Sequence, residues 1–306
     1  MWLNILHGTV EQGLAYALLA MGVYMTFRIL DFPDLTVDGS FPLGAAVTAV
    51  LIVSGVNPFL ATAFAFVAGT GAGVITGLIN TKLKIAGLLS GILTMTALYS
   101  INLRIMQRPN IPLLREPTII SIIERWINNN YVTLITFILI VGLIKLLVDY
   151  FLNTELGMAV RATGDNPDMI ESLGVNTDNV KILGLALSNG LVALSGSLVA
   201  QYQRFTDISM GIGMIIIGLA SVIIGEVVVR TSKIHFATIG VIIGAIVYRM
   251  AIAFALQLGF APTDLKIVTA LLVILSLGAP SLRKFMIQDE FAEHLLERGA
   301  VDAENK

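Results

Sequence analysis

Long apolar segments separated by short polar breaks run along the whole chain. A membrane-spanning helix needs about 20 mainly apolar residues, and about nine segments approach that length. We predict helices over 9–29, 40–55, 58–80, 85–103, 131–151, 178–201, 211–229, 234–255 and 264–281. The second segment is short and contains Pro42, so it is either a full span or a broken, re-entrant helix. The pattern predicts an all-α, polytopic membrane bundle that forms a single transmembrane domain over 1–306.

The composition agrees with a membrane protein. Hydrophobic residues make up 56% of the 306 residues and charged residues 13%, whereas a soluble domain carries roughly a quarter charged residues. So little charge could not cover a water-exposed surface, but it suits a surface that faces lipid. The net charge of −2 lacks the basic excess of nucleic-acid-binding proteins. The chain has no cysteine and only three scattered histidines, so we expect no disulfide, no cysteine nucleophile and no metal site.

Positive charges near the predicted helix ends indicate the orientation of the bundle. With the amino terminus outside, Arg28, Lys82 and Arg161 lie with most other lysines and arginines on the inside. We therefore expect an N-out/C-in arrangement. It places a loop over 152–177 and a charged tail over 282–306 in the cytoplasm.

The break at 104–130 is the largest one on the expected outer side. Isoleucines and Trp126 recur in it at helical spacing, with Glu124 and Arg125 between them. Such a segment is typical of a helix that lies on the membrane surface with its tryptophan at the interface. A contact surface for an external partner is the alternative, and the two interpretations are compatible.

An internal repeat is visible in the polar breaks. The run DLTVDG at 34–39 returns in altered form as DISMGIG at 207–213. An odd number of predicted helices lies between the copies. The halves, at about 9–103 and 178–281, would therefore have opposite orientations, as in many transporters.

Small residues four apart follow each copy of the repeated motif at nearly the same distance. This spacing lets helix backbones approach closely in lipid, so we assign these residues to helix packing. They are Gly69, Gly73 and Gly77 in the first half, and Gly240 and Gly244 in the second.

The loop at 152–177 contains a short helix that its own sequence delimits. Asp165 or Asn166 can cap the amino end, because a side-chain oxygen there accepts from an unpaired backbone N–H. Pro167 fits the first helical position, where its missing N–H costs nothing. Gly174 can adopt the left-handed conformation that ends the helix.

The faces of this short helix differ in polarity. Met169, Ile170 and Leu173 fall on one face, with Asp168 and Glu171 on the remainder. A helix of about two turns is marginal alone in water, so its apolar face should dock on something. Either it is a connector packed against the membrane domain, or it is a coupling helix that seats in a groove of a cytoplasmic ATPase.

Charged residues inside the predicted helices have local partners. Glu226 and Arg230 are four residues apart, as are Lys145 and Asp149, so each pair can form a salt bridge on one helix face. Arg249 lies within the eighth helix. We expect it to extend to the membrane interface, with a contact to a substrate carboxylate as the alternative.

The loop and the helix after it carry a family resemblance. Residues 157–198 resemble the corresponding part of the branched-chain amino acid/ribose ABC permease family, a fairly specific pattern that Ser172 departs from. The matching residues are Gly157, Arg161, Ala162, Asn166, Gly174, Val175 and Asn176. The run DLTVDGSFPLGAA at 34–46 resembles a subgroup of this family that is associated with aromatic amino acids.

The resemblance implies the permease subunit of an ATP-driven, binding-protein-dependent importer in the bacterial cytoplasmic membrane. The expected partners are a cytoplasmic ATP-binding subunit, a second permease copy that makes a homodimer, and an extracytoplasmic substrate-binding lipoprotein. ATP and Mg²⁺ would bind to the partner, since the chain has no GxxxxGK[ST] loop and we expect no enzymatic activity in it. The solute would be an amino acid, aromatic or branched-chain, with a sugar or nucleoside as the alternative.

Polar residues in or beside the predicted membrane helices are candidates for the solute path, because they are costly in lipid. Helix caps and interhelical hydrogen bonds are the alternative role for each. The set comprises Asp34, Thr36, Asp38, Ser40, Asn102, Ser188, Asn189, Asp207 and Ser209. An ion-coupled secondary transporter is the alternative class of function, and it would need buried ion-coordinating residues. A membrane enzyme would need a convergent catalytic set, which we do not find in the sequence.

Overall fold

The protein is mostly helical, as predicted. The computed structural model describes residues 2–126, 131–231, 233–261, 264–265, 267–271 and 273–274. Its helices are α1 (Trp2–Val23), α2 (Val37–Val53), α3 (Pro58–Lys82), α4 (Gly87–Met106), α5 (Ile119–Trp126), α6 (Val132–Leu152), α7 (Glu155–Asp165), α8 (Pro167–Ser172), α9 (Thr177–Gln203), α10 (Met214–Val228) and α11 (Ile234–Gln257). A π-helical segment (Tyr24–Ile29) extends α1, and a 3-10 turn (Ile208–Gly211) precedes α10. Strands β1 (Asn110–Pro112) and β2 (Phe205–Asp207) pair antiparallel.

Six helices of the described residues are long and apolar enough to cross a membrane. They are α3, α4, α6, α9, α10 with its 3-10 turn, and α11. This confirms the polytopic membrane bundle, whereas the count of about nine spans stays a prediction. The last predicted span, 264–281, lies partly outside the described residues, and the tail at 282–306 lies wholly outside them.

Helix α9 is the axis of the bundle. Of the residues in its most apolar stretch, 83% are buried within the protein. The corresponding share is 28–44% in the other five candidate spans. An apolar helix that is enclosed on all sides belongs to the interior, and one with a single enclosed side can face lipid. Helices α1, α2 and α3 pack around α9.

Glycines set the closeness of this packing. Gly69, Gly73 and Gly77 of α3 all face α9, and an added Cβ at Gly73 would clash with the carbonyl oxygen of Leu185. Small residues of this kind let two backbones meet in lipid, where dispersion contacts rather than the hydrophobic effect hold helices together.

The second glycine row makes an equivalent contact in the other half of the chain. Gly240 and Gly244 of α11 face α10, and an added Cβ at Gly244 would clash with the carbonyl oxygen of Ser221. Each row therefore lies at a helix–helix contact, α3 on α9 and α11 on α10.

Helices α1 and α9 run antiparallel and are joined by two matched hydrogen bonds. Ser188 Oγ donates to the Gly22 carbonyl oxygen at 2.8 Å, and Ser195 Oγ donates to that of Ala15 at 2.7 Å. The sequence separation between Gly22 and Ser195 equals that between the first residues of the two repeated motifs. The separation between Ala15 and Ser188 is the same. Each bond is thus the counterpart of the other. The inverted repeat stays a prediction, and this contact pattern supports it.

Helix α2 runs through Pro42 without interruption, so of the alternatives left open for this segment a helix broken at that residue is excluded. The irregular segment is 30–36, before the helix, and it returns the chain to the level of Asn189, halfway along α9. At 17 residues, α2 is shorter than the six candidate spans.

The helix expected within 104–130 is α5, and it packs on the bundle. Ile119 and Ile120 are buried, and the Ile119 backbone N–H donates to Gln201 Oε1 at 3.0 Å. At least the first turn of α5 is therefore held by protein rather than by lipid. The expected interfacial role of the Trp126 side chain lies outside the described residues.

Gly73→Ala should disrupt the α3–α9 contact, because the added methyl meets backbone atoms that cannot move without shifting a helix. We expect a loss of about 1–3 kcal/mol in the free energy of unfolding. The measurement is the unfolding temperature of the purified protein in detergent.

Gly71→Ala is the matched control on the same helix, since an added Cβ at Gly71 meets nothing within 4 Å. It should be neutral or stabilising by up to about 1 kcal/mol, the usual preference for alanine over glycine in a helix. Equal destabilisation by both changes would contradict the packing role of Gly73.

Candidate functional site

The two repeated motifs meet in space. Asp38, in the first turn of α2, accepts hydrogen bonds from the backbone N–H groups of Gly213 (2.9 Å) and Ile215 (2.8 Å) at the start of α10. Gly213 has a left-handed φ of +84°, which a residue with a side chain rarely adopts. A carboxylate at a helix amino terminus also balances the partial positive charge there. One half of the chain therefore caps a helix of the other half.

Three other predicted path residues, Asp34, Ser40 and Asn189, form a buried hydrogen-bond network. Asn189 Nδ2 donates to Asp34 Oδ2 at 2.7 Å, and Asn189 Oδ1 accepts from Ser40 Oγ at 2.7 Å. The same Nδ2 reaches the Leu185 carbonyl oxygen at 3.0 Å. Asp34, Ser40 and Asn189 are each 0% exposed. Both the NH₂ group and the carbonyl oxygen of the Asn189 amide are therefore hydrogen-bonded within the protein.

Thr36 extends the network to a third helix. Its backbone N–H donates to Asp34 Oδ1 at 2.9 Å, and its hydroxyl bonds to that of Thr76 on α3 at 2.8 Å. No lysine, arginine or histidine of the described residues lies within 4.0 Å of the Asp34 carboxylate. A buried carboxylate is tolerated only when donors satisfy it, so these neutral hydrogen bonds hold the segment at 30–36 in place.

A second hydrogen-bond chain lies further along α9, and sequence reasoning did not predict Thr48, Thr62 and Ser197 as its members. Thr48 Oγ1 donates to Ser197 Oγ at 2.7 Å. Ser197 Oγ and Gln201 Nε2 both donate to Thr62 Oγ1, at 3.1 and 2.8 Å. A signal was available in the sequence. Polar or small residues recur every four positions on α2 and on α9, as parallel helices that face each other require.

The other path candidates lie elsewhere. Ser188 bonds to α1, away from the network. Ser209 donates its N–H (2.8 Å) and its hydroxyl to Asp207 Oδ1, and these bonds hold the pKa of the Asp207 carboxyl below its usual range. The predicted set is thus divided among the buried network, the α10 cap, the α1–α9 contact and the β2 end, and Asn102 bonds to the Gly39 carbonyl oxygen of α2.

A cavity of about 390 Å³ opens between α2, α4 and the 3-10 turn, beside the place where the motifs meet. Asp38 and Asn102 were predicted as path residues, and both line it. Sequence reasoning missed Thr96, Tyr99 and Ser100, which also line it. They lie on one stretch of α4 whose polarity is too weak to stand out within an apolar span.

The short helix of the predicted coupling loop is present as α8. Asn166 caps it, accepting from the Met169 backbone N–H at 3.0 Å, and Pro167 is its first residue. Gly174 has a φ of +85°, consistent with the predicted helix end. Asp165 is not the cap, because it is the last residue of α7, a helix that the sequence analysis did not predict.

The apolar residues of α8 do not share one environment. Ile170 is 7% exposed and packs inward, whereas Met169 is 49% and Leu173 71% exposed. Asp168 and Glu171 are also exposed. The loop is therefore anchored by one apolar side chain and presents two others to the surroundings.

A second cavity, of about 590 Å³, lies at the same end of the bundle as α7 and α8. Arg28, Arg161, Asp165 and Glu226 line it. Arg28 Nε lies 2.6 Å from Glu226 Oε1, so Glu226 pairs across helices and not with Arg230 as expected. This salt bridge joins the end of α1 to the end of α10.

Three further charged residues make contacts within the bundle, and for Arg249 this differs from the expected extension to the membrane interface. Lys145 and Asp149 form the expected salt bridge, and Thr238 Oγ1 also donates to Asp149, at 2.8 Å. Arg249 lies with its guanidinium 3.7 Å from the centre of the Tyr16 ring, a cation–π contact within the bundle.

Asn189→Ala should destabilise the whole network, because Asn189 joins its other members. It leaves a buried carboxylate oxygen of Asp34 and the Ser40 hydroxyl without partners, which should cost about 3 kcal/mol or more. Asn189→Asp should be worse, because it places a second carboxylate beside Asp34. The measurement is again the unfolding temperature in detergent.

Asn179→Ala is the control for this test, since Asn179 lies on the same helix but is exposed. It should change the unfolding free energy by less than about 0.5 kcal/mol. An Asn189→Ala protein as stable as this control would contradict the proposed weight of the network.

Residues 5–277 match the family described as the branched-chain amino acid transport system permease component. The tyrosine transport system permease protein of Clostridioides difficile (strain R20291) is 44% identical over 89% of this chain and 90% of its own length. An uncharacterized protein of Rickettsia prowazekii (strain Madrid E) is 39% identical over 90% of this chain and 98% of its own length. The ribose import permease protein of Escherichia coli (strain K12) is 25% identical over 80% of this chain and 75% of its own length.

The family match spans most of the chain and includes all the helices described above except the first three residues of α1. Its members are transport components, so the absence of a catalytic set in the sequence has a direct explanation. The apolar spans agree with a multi-pass protein of the bacterial inner membrane. The chain therefore belongs to the family of permease components of branched-chain amino acid transport systems, and it is an ABC importer permease subunit rather than an enzyme.

Proposed function

We propose that this permease imports an amino acid delivered by an external binding protein, and that a separate cytoplasmic ATPase drives it through α8. The observation that carries the proposal is the pair of exposed apolar side chains, Met169 and Leu173, on a helix fixed at both ends. Apolar side chains on a short, rigid helix suit a hydrophobic groove of a soluble partner.

The contacts around α8 support a route for movement into the bundle. Ile170 anchors α8, and α7 leads from it to the 590 Å³ cavity through Asp165. The Arg28–Glu226 salt bridge at that cavity joins α1 to α10. A displacement of α8 by the ATPase would therefore act on the boundary between the two halves of the chain.

The alternating-access part of the proposal places a moving boundary where α10 meets the first half of the chain, in an N-out/C-in arrangement. Asp38 caps α10 from α2, so a movement of α10 relative to α2 must carry this contact along or break it. By contrast, the Asn189 network joins α2, α3 and α9 by fully buried bonds, and it should move as one body.

The complete transporter in this proposal has several subunits. ATP and Mg²⁺ bind to the cytoplasmic partner, a second copy of this chain completes a homodimer, and a binding lipoprotein docks on the outer side. The end with α5, β1 and β2 lies opposite α8 and would be that outer side.

An amino acid, and in the first instance an aromatic one, is the proposed solute. The relative named for tyrosine transport is 44% identical to this chain, whereas the one named for ribose import is 25% identical. A sugar or nucleoside is the alternative. An ion-coupled mechanism is less well supported, because N–H donors surround the Asp34 carboxylate where a cation would need further oxygen ligands.

Met169→Asp and Leu173→Asp should uncouple transport from ATP hydrolysis. A charge placed in an apolar groove weakens docking, while the exposure of both side chains should leave the fold intact. We expect the ATP-driven uptake of radiolabelled L-tyrosine in vesicles to fall about tenfold or more, with loss of the co-purified ATPase.

Leu114→Asp is the matched control, since Leu114 is 76% exposed and belongs to the segment expected outside. Co-purification with the ATPase should be unchanged in it, because the ATPase docks on the opposite side of the bundle. If the Met169 and Leu173 variants still co-purify with the ATPase and transport normally, α8 is a connector and the coupling proposal fails.

A further inference from the structure

The wall of the 390 Å³ cavity contains a buried hydrogen-bond acceptor without a partner. Asn102 is 0% exposed, and its Nδ2 donates to the Gly39 carbonyl oxygen at 3.1 Å. Its Oδ1 has no hydrogen-bond partner among the described residues. The Gly39 carbonyl fixes this orientation of the amide, because the flipped amide would set two oxygens against each other. Unpaired buried acceptors are rare, so a donor from a ligand is expected here.

A carboxylate lies in the same wall. Asp38 accepts from backbone N–H groups of the α10 cap through both of its oxygens, with Met214 beside Gly213 and Ile215, and a carboxylate can accept about four hydrogen bonds. Asp38 therefore has acceptor capacity left on the cavity side. No described lysine, arginine or histidine forms an ion pair with it.

The remaining lining residues provide both polar and apolar surface. Thr96, Tyr99 and Ser100 add hydroxyl groups from α4, and Pro42 and Met95 add apolar surface. The Tyr99 ring is 54% exposed, so its face can receive a cation or a second aromatic ring. The lining residues include no lysine or arginine. The cavity thus offers acceptors, hydroxyl groups and an apolar wall, and no cationic side chain that would pair with a carboxylate.

We propose that this cavity binds the α-ammonium group of the transported amino acid, with Asn102 Oδ1 and Asp38 as the acceptors and Tyr99 beside the side chain. An ammonium group supplies three donors and a positive charge, which meets both the unpaired oxygen and the carboxylate. Charge-assisted hydrogen bonds are the stronger kind, so the ammonium is what this wall selects. The inference rests on the proposed amino acid import, and it implies that sugars do not bind in this cavity.

The natural absence of cysteine allows a direct test. Ser100→Cys places a single thiol in the cavity, and its reaction rate with a methanethiosulfonate reagent reports occupancy. The assembled transporter in vesicles is labelled with L-tyrosine, with tyramine, with 3-(4-hydroxyphenyl)propionate or with ribose present. Tyramine keeps the ammonium and lacks the carboxylate, whereas the propionate has the reverse. We expect L-tyrosine and tyramine to slow the labelling, and the propionate and ribose to leave it unchanged.

Changes at Asn102 test the acceptor itself. In an Asn102→Leu background the tyramine concentration that gives half-protection should rise about tenfold, the effect of losing one hydrogen bond to a charged group. Asn102→Asp keeps an acceptor and adds charge, but it loses the donor to the Gly39 carbonyl oxygen. Half-protection should therefore need less tyramine than in Asn102→Leu. Because both variants lose the bond to Gly39, general damage to the fold would affect both, and a difference between them reports the acceptor.

A thiol outside the cavity provides the control. Leu114→Cys is highly exposed, and none of the four compounds should change its labelling. Equal protection of Ser100→Cys by the propionate and by tyramine, or protection by neither amine, overturns the inference. If ATP-driven uptake of L-tyrosine persists in those vesicles, only the ammonium site has failed. If uptake is absent while the amines still protect, the import proposal has failed and the site stands.

Discussion

The carboxylate of Asp34, enclosed in an apolar bundle, is the constraint on which the centre of this protein depends. A buried charge is tolerated only where donors surround it. Here the donors come from Asn189 on α9 and from the backbone of Thr36. The carbonyl oxygen of the Asn189 amide in turn accepts a hydrogen bond from Ser40, and the Thr36 hydroxyl bonds to that of Thr76. One satisfied carboxylate thus determines how α2, α3 and α9 meet.

Close helix packing makes that network possible. Gly44 of α2 and Gly73 of α3 let both backbones reach α9, since a side chain at either position would clash with it. Short hydrogen bonds between side chains such as Ser40 and Asn189 need this approach. In lipid, small residues and interhelical hydrogen bonds are the available means of association, and this bundle combines them at one level of α9.

Helix α10 of the second half contacts the first half of the chain differently at its two ends. At the start of α10 the contact is a helix cap by Asp38, beside a cavity. At the end of α10 it is the partly exposed Arg28–Glu226 salt bridge, beside a larger cavity near α7 and α8. Exposed ion pairs contribute little stability, so this contact can open at small cost. Such an arrangement suits a permease in which α10 changes its position relative to a centre of α2, α3 and α9 that keeps its packing.

The sequence by itself determined the features that depend on neighbouring residues. The apolar segments gave the spans, because burial in lipid needs a continuous apolar length. Asn166, Pro167 and Gly174 gave the bounds of α8, because caps act within a few residues. The motif at 157–176 gave the family for the same local reason. The glycine rows were visible too, since their spacing reflects one helix face.

Only the tertiary structure decided which distant groups are partners. Asn189 bonds to Asp34 and Asp38 caps Gly213, each across more than half of the chain's sequence. Glu226 pairs with Arg28, which is distant in sequence, and not with its expected neighbour Arg230. The unpaired oxygen of Asn102 was likewise invisible, because a residue type shows capacity for hydrogen bonds but not whether it is used. Buried polar groups take the partners that packing brings near them, and in the low-dielectric interior of a bundle those partners need not be close in sequence.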